Sequence, residues 1–87
     1  MKNLTYLLLM KTIFIAIVFK LLIVDSQTGE NLVGAKVETN NNTYFTDLYG
    51  YVEISQGEEV KSISYISYES KHNIEVTKDT IVDISPL

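Results

Sequence analysis

Hydrophobic and polar residues alternate with a period of two along most of the chain after Val24. The alternation is present in segments 35–39, 51–55, 62–65, 74–76 and 82–84. It places apolar side chains on one face and polar ones on the other, as in half-buried antiparallel strands. Because no segment after residue 25 has helical periodicity, the pattern predicts an all-β chain.

Clusters of turn residues separate the predicted strands. Three asparagines occupy positions 40–42, "DLYG" occupies 47–50 and "SQGE" occupies 55–58. Asparagine tolerates left-handed backbone, and aspartate first with glycine fourth is the preference of a type I turn. With a turn about every ten residues, the sequence predicts an antiparallel Greek-key β-sandwich of about seven strands.

An apolar segment precedes these strands. Residues 4–24 are mostly apolar but contain Lys11 and Lys20, and a lysine inside a membrane span costs about 2.5–3.5 kcal/mol at the centre of the helix. A secretory signal with residues 13–19 as its short apolar region also fits, although no small-residue cleavage site follows. We predict an export signal or N-terminal anchor over 1–19 and a folded domain over 20–87. Overlap of the signal with the first strand stays open, as does a start at Met1 or Met10.

The charge distribution excludes one class of partner. All seven basic residues are lysines, and all eleven acidic residues lie at or after Asp25. Residues 21–87 therefore carry four lysines against eleven carboxylates, a formal charge of −7. Nucleic-acid binding needs a basic surface to displace phosphate counterions, so we exclude it. The absence of cysteine excludes disulfides and thiolate metal sites.

The stretch "DSQTGE" concentrates oxygen donors between two apolar runs. Asp25, Ser26, Thr28 and Glu30 could offer oxygens to calcium, which takes six to eight such ligands. They could also form a turn in which Asp25 and Thr28 bond local amides and Gly29 takes a positive φ angle. We favour the turn because the spacing lacks the density of acids found in a calcium loop.

Two further residues have chemistry to consider. Asp47, near Glu53, could act as an acid or base, but its expected role is to accept a hydrogen bond from an amide of its own turn. His72 is the one histidine of the chain and has no neighbouring ligand set for zinc. We therefore predict an exposed His72, no metal, no cofactor and no catalysis.

Three tyrosines are the candidates for ligand contact. Tyr44, Tyr49 and Tyr51 fall around one predicted loop and its flanking strands. Aromatic rings beside acids and amides can bind sugars or form the centre of a protein interface. The alternative is that they cap or cover the core, because tyrosine is also a good strand former.

Three blocks of sequence carry a family resemblance. Their positions are Asp25, Thr28, Gly29, Glu30, Leu32, Gly34, Ala35 and Val37 in the first block; Thr46, Asp47, Gly50, Val52 and Ile54 in the second; and Ser64, Tyr65, Ile66 and Tyr68 in the third. Together they resemble the carboxypeptidase regulatory-like domain over about residues 21–85. The chain departs from that family at Ser67, where glycine is common, and at Leu22, near which a small residue is often found.

The resemblance implies a transthyretin-like (prealbumin-like) sandwich acting as a non-catalytic module. Such domains occur in bacterial envelope proteins, at the N-terminus of TonB-dependent outer-membrane receptors or attached to peptidases. Hydroxyisourate hydrolases share this fold, but their site needs several histidines, an arginine and a C-terminal Tyr-Arg-Gly-Ser. This chain has no arginine and ends Ser-Pro-Leu. Structural turns are expected at Asp25, Thr28, Gly29, Gly34, Asp47 and Gly50.

The sequence thus predicts an exported module in the periplasm, outer membrane or cell surface. It would be a spacer or docking domain for a larger envelope protein, with strand addition at an exposed edge as one binding mode. Membrane contact would be made through the N-terminal segment alone. Carbohydrate binding by the tyrosines is the alternative function. Whether the chain is a free-standing copy or a fragment stays open.

Overall fold

The computed structural model describes residues 17–87, and the expectations of a signal, an anchor and an internal start lie outside these residues except where segment 1–19 overlaps the first strand. The described chain is all-β, which confirms the predicted sandwich of seven strands in two sheets. The strands are β1 (Val18–Asp25), β2 (Lys36–Thr39), β3 (Thr43–Phe45), β4 (Tyr51–Ser55), β5 (Val60–Ser64), β6 (Lys71–Ile74) and β7 (Thr80–Ile84). Residues 17–87 contain no helix long and apolar enough to cross a membrane.

The strands form a three-stranded sheet, sheet A, in the order β4-β1-β7, and a four-stranded sheet, sheet B, in the order β3-β2-β5-β6. Every pairing is antiparallel except β1 with β7, which is parallel. The exception differs from the fully antiparallel expectation and follows from chain direction. Each connection reverses the chain, so odd-numbered strands run one way, and two of them placed side by side must be parallel.

The core lies between the two sheets and is built by alternate residues of the strands. Leu21 and Ile23 of β1 are fully buried, and their neighbours Lys20 and Leu22 point to the other face. Burying one such aliphatic side chain contributes about 1.5–3 kcal/mol. The largest fully buried side chains are Leu21, Ile23, Val37, Ile54 and Ile63.

The sandwich has two ends of different composition. We call the end where β1 begins the entry end, and it holds the turns at 40–42, 56–59 and 75–79. Hydrogen bonds from Gln56 N to Ile17 O (2.9 Å) and from Asn40 N to Glu59 O (3.0 Å) join its parts. The opposite end, the far end, holds four segments, 26–35, 46–50, 65–70 and 85–87.

The strand predicted over 74–76 is wrong, because β6 ends at Ile74. Asn73 has a φ of +53°, and this left-handed residue interrupts the ladder between β5 and β6. Ile74 and Val76 still pack against the core, although Val76 lies outside any strand. The alternation of residues 74–76 therefore predicted which side chains are buried. The strand itself begins about three residues earlier than predicted, at Lys71.

Candidate functional site

The oxygen-rich stretch after β1 is closed by local hydrogen bonds. Asp25 Oδ1 accepts from the backbone amides of Gln27 (2.7 Å) and Thr28 (2.9 Å). Gly29 N donates to Asp25 O at 2.8 Å, and Gly29 has a φ of +75°. Thr28 Oγ1 accepts from Glu30 N at 3.2 Å. These oxygens accept hydrogen bonds from the backbone amides of a tight turn. This is the arrangement that we predicted as the alternative to a calcium site.

The second oxygen of the Asp25 carboxylate accepts a hydrogen bond from the hydroxyl of Tyr68, 43 positions along the chain. No local sequence signal indicates this contact. Tyr65 packs edge-on against the Tyr68 ring, with centroids 5.4 Å apart and an interplanar angle of 64°. The buried carboxylate therefore fastens segment 65–70 to the end of β1, across the two sheets.

The same contacts set the electrostatics of the pair. The Tyr68 hydroxyl, followed by the amides of Thr28 and Gln27, lowers the pKa of Asp25. Conversely, the Asp25 carboxylate and partial burial raise the pKa of Tyr68 to about 12. Asp25 is therefore ionised and Tyr68 protonated at neutral pH. This fixed charge state suits a structural anchor and not a group that exchanges protons near neutral pH.

Asp47 occupies a second turn of the same kind. Its Oδ1 accepts from the amides of Tyr49 (2.9 Å) and Tyr51 (3.0 Å), and Gly50 N donates to Asp47 O at 3.0 Å. The hydrogen bonds from the Tyr51 and Tyr49 amides lower the pKa of Asp47. Gly50 has a φ of +83°, which a non-glycine residue rarely adopts.

Asp47 also covers the free edge of β4. Ile23 N donates to Gly50 O at 2.9 Å, so Gly50 faces β1 and the backbone groups of Tyr51 face away from it. Both of those outward groups bond Asp47: Asp47 N donates to Tyr51 O at 2.9 Å, and Asp47 Oδ1 accepts from Tyr51 N. The first position at which a foreign strand would pair with β4 is thus already occupied.

The other sheet edges are protected to different degrees. On β7, the carbonyl of Asp83 accepts from Lys71 Nζ at 3.1 Å, and Glu69 N donates to the Ser85 carbonyl at 2.8 Å. On β6, the left-handed Asn73 distorts the edge, and such distortions discourage pairing with another chain. The three-residue β3 is the shortest of the four edge strands.

Thr46 is a further structural residue at the far end. It is buried, its hydroxyl donates to Leu32 O, and the same oxygen accepts from Ala35 N at 2.9 Å. Gly34 N donates to Thr46 O at 3.1 Å, and Gly34 has a φ of +78°. Thr46 therefore ties the 32–35 segment to the end of β3, a role that no local sequence signal indicated.

The structure separates the three candidate tyrosines into two places. Tyr44 lies in sheet B, where its hydroxyl donates to Glu58 Oε1 at 2.7 Å near the entry end. Burial and then Glu58 raise the pKa of Tyr44. Tyr49 and Tyr51 instead line one open cavity of about 370 Å³ on sheet A, together with the charged residues Lys20, Asp47 and Glu53. Tyr44 is thus bonded to Glu58 near the entry end, and only Tyr49 and Tyr51 share a cavity.

A larger cavity of about 490 Å³ opens between the sheets at the entry end. Its apolar lining comes from Phe19, Val60, Ile74 and Val76, and carboxylates from the 56–59 turn stand at its side. His72 lies on β6 opposite Ser62 and is exposed. Within residues 17–87, no three His, Cys, Asp or Glu side chains come together as metal ligands would.

Comparison of the chain with the known protein families finds no family that matches it, and comparison with curated proteins finds no match either.

Proposed function

We propose that this chain is a non-catalytic interaction module of the cell envelope, a spacer or docking domain for a larger receptor or peptidase. The observation that carries the proposal is the composition of the far end. Four large side chains there are between 71% and 86% exposed, on loops opposite the point where the chain enters the sandwich: Leu48, Tyr49, Ile66 and Leu87. Contiguous exposed apolar patches mark interaction surfaces, and we propose that these loops together form one.

The loops that carry these side chains are held in place before any partner arrives. Asp47 bonds two amides of the loop that carries Leu48 and Tyr49. Tyr68, two residues after Ile66, is fastened to Asp25. Loops that are ordered in advance lose less conformational entropy on binding, which favours affinity. Asp25 and Asp47 thus support docking by holding these loops in place. Because their pKa values are lowered, both are ionised at neutral pH and are poor proton donors.

Three features support an assignment to the carboxypeptidase regulatory-like family with its transthyretin-like fold. The first block runs from the end of β1 through segment 26–35 into β2, the second covers the Asp47 turn and β4, and the third covers the end of β5 and the segment after it. Gly50, which matches the glycine of the second block, is left-handed with a φ of +83°. Ser67, which stands at a position where glycine is common, is also left-handed with a φ of +67°.

The proposal is tested by site-specific photo-crosslinking of the full chain in cells of the source organism. A crosslinking residue at position 48 or 66 should give a protein adduct, because these side chains are exposed to solvent at the far end. The same residue at position 41 or 56, exposed at the entry end, is the matched control. The paired substitution Leu48→Ser and Ile66→Ser should remove adducts formed from position 49. Equal adducts from both ends would contradict the proposal.

Carbohydrate binding is the second candidate, favoured by the cavity that Tyr49 and Tyr51 share with Lys20, Asp47 and Glu53. Aromatic rings can stack on sugar faces while the charged groups bond hydroxyls. On a glycan array, binding should fall at least tenfold for Tyr49→Ala and for Tyr51→Ala. Tyr44→Ala, on the other sheet, should bind as the wild type does. An array on which the wild type binds no glycan would eliminate this candidate.

A further inference from the structure

The outer surfaces of the two sheets differ in polarity. On sheet B, the outward positions include the Lys36–Glu38 ion pair (2.6 Å), Ser62 and His72. Phe45 is the one large apolar side chain among the outward strand residues described for this sheet. A polar outer surface is normal for an antiparallel sheet with one solvated face.

The outer surface of sheet A carries more apolar side chains, although Lys20, Glu53 and Asp83 also lie on it. The pairing registers place Tyr51, Leu22 and Ile81 side by side in one row across β4, β1 and β7. Val18 and Val24 of β1 lie on the same face, one on each side of this row, and Lys20 stands between Val18 and Leu22. Ile81 is 69% exposed, and Val18 and Tyr51 are 46% and 39% exposed. We call these five residues the apolar face.

Charged residues stand within and around the apolar face. Glu53 pairs with Lys20 across β4 and β1, and Asp79 Oδ1 accepts from Lys20 N at 2.8 Å. Asp83 beside Val24 bonds Lys71 Nζ at 3.2 Å. Over residues 17–87, five lysines stand against eleven carboxylates, a formal charge of −6. A basic partner is therefore attracted to this face, and another acidic surface is repelled.

The size of the apolar face selects among partners. Three strands about 4.8 Å apart and the six residue steps from Val18 to Val24 at about 3.3 Å each give a face of roughly 14 by 20 Å. This area of about 280 Å² is well below the roughly 800 Å² per partner of a stable protein interface. It matches one helix, about 10–12 Å wide, whose length of about 20 Å corresponds to roughly 13 residues.

We propose that the apolar face of sheet A binds an amphipathic helix of a partner protein, with an apolar stripe along β1 and lysines or arginines on both flanks. A helix layered on a sheet buries the apolar surface of both elements. The inference rests on the proposed function as an interaction module and assigns it a second surface, distinct from the far end.

The test uses the full chain and a synthetic 14-residue helical peptide with leucines at positions i, i+3, i+4 and i+7 and lysines beside them. In ¹⁵N-shift mapping, the peptide should perturb the amides around Leu22, Tyr51 and Ile81. Ile81→Ser should weaken binding at least tenfold. Phe45→Ser, the matched loss of an exposed apolar side chain on sheet B, should leave it within twofold.

Charge is tested with a peptide in which every lysine is replaced by glutamate, and its affinity should be at least tenfold lower. The inference is overturned by three results: shifts confined to sheet B or to the far end, no binding at 1 mM peptide, or equal binding of the acidic peptide. Self-association of the chain, or partition into anionic vesicles, that Ile81→Ser abolishes would assign the face to a second copy or to lipid instead. The far-end crosslinks test the proposed function independently of this experiment.

Discussion

Replacing Gly50 with alanine should lower the free energy of unfolding by about 2–4 kcal/mol. Two effects add at this position. The φ of +83° is unfavourable for any residue with a Cβ, and that Cβ would meet three atoms of neighbouring segments. It would lie 2.9 Å from Asn31 Cβ, 3.2 Å from the Ile23 carbonyl oxygen and 3.2 Å from Leu22 Cδ1. Urea denaturation of wild type and variant measures the difference.

Gly29→Ala is the matched control. Gly29 has a similar φ of +75°, but a Cβ there would have no neighbour within 4 Å. Its cost should therefore be the backbone contribution alone, about 1 kcal/mol. If both glycines cost the same, the close packing of Gly50 against the 22–23 and 31 positions contributes nothing, and the prediction is wrong.

Replacing Asp25 with alanine should have the second large effect, a fall in melting temperature of about 10 °C or more. The substitution removes the acceptor of two backbone amides and of the Tyr68 hydroxyl in a buried position. Buried donors without acceptors are costly, so the loss should exceed that of Tyr68→Phe, which removes one donor. Asp83→Ala, which breaks an exposed ion pair with Lys71, should change the melting temperature little.

The Asp25 site also predicts how stability depends on pH. Its folded pKa lies below the ordinary value of 3.8, so the ionised form is favoured by folding. The contribution is complete above about pH 3.8 and disappears as the pH falls from there through the folded pKa. Melts over this range should show a smaller acid-induced loss for Asp25→Asn than for wild type. An equal loss in both proteins would mean that other carboxylates, such as Asp47, dominate.

The strand content of this fold could be predicted because burial alternates along it. Val52 and Ile54 face the core while Tyr51 and Glu53 do not, and side-chain polarity records that difference directly. The parallel contact of β1 with β7 could not be predicted in the same way. It depends on which strands become neighbours, and the registers that bring Leu22 beside Ile81 leave no local trace in either segment.

The candidate site was predictable to the extent that its interactions are local. Asp25 and Asp47 accept hydrogen bonds from amides two to four residues away, and aspartate followed by glycine is a signal of such turns. The Tyr68–Asp25 contact and the Thr46 bonds join residues far apart in sequence. The grouping of tyrosines by sequence proximity was misleading for the same reason, since Tyr44 belongs to the opposite sheet from Tyr49 and Tyr51.

The central position of β1 in sheet A has a consequence for the order of folding. β1 pairs with β4 on one side and with β7 on the other. Each residue of β7 lies 59 positions after its partner in β1. Closing so long a loop is slow, so β1 stays half-paired until residues 80–84 have left the ribosome. A chain that lacks residues 80–84 would therefore present an unpaired edge of β1 with which other strands could pair.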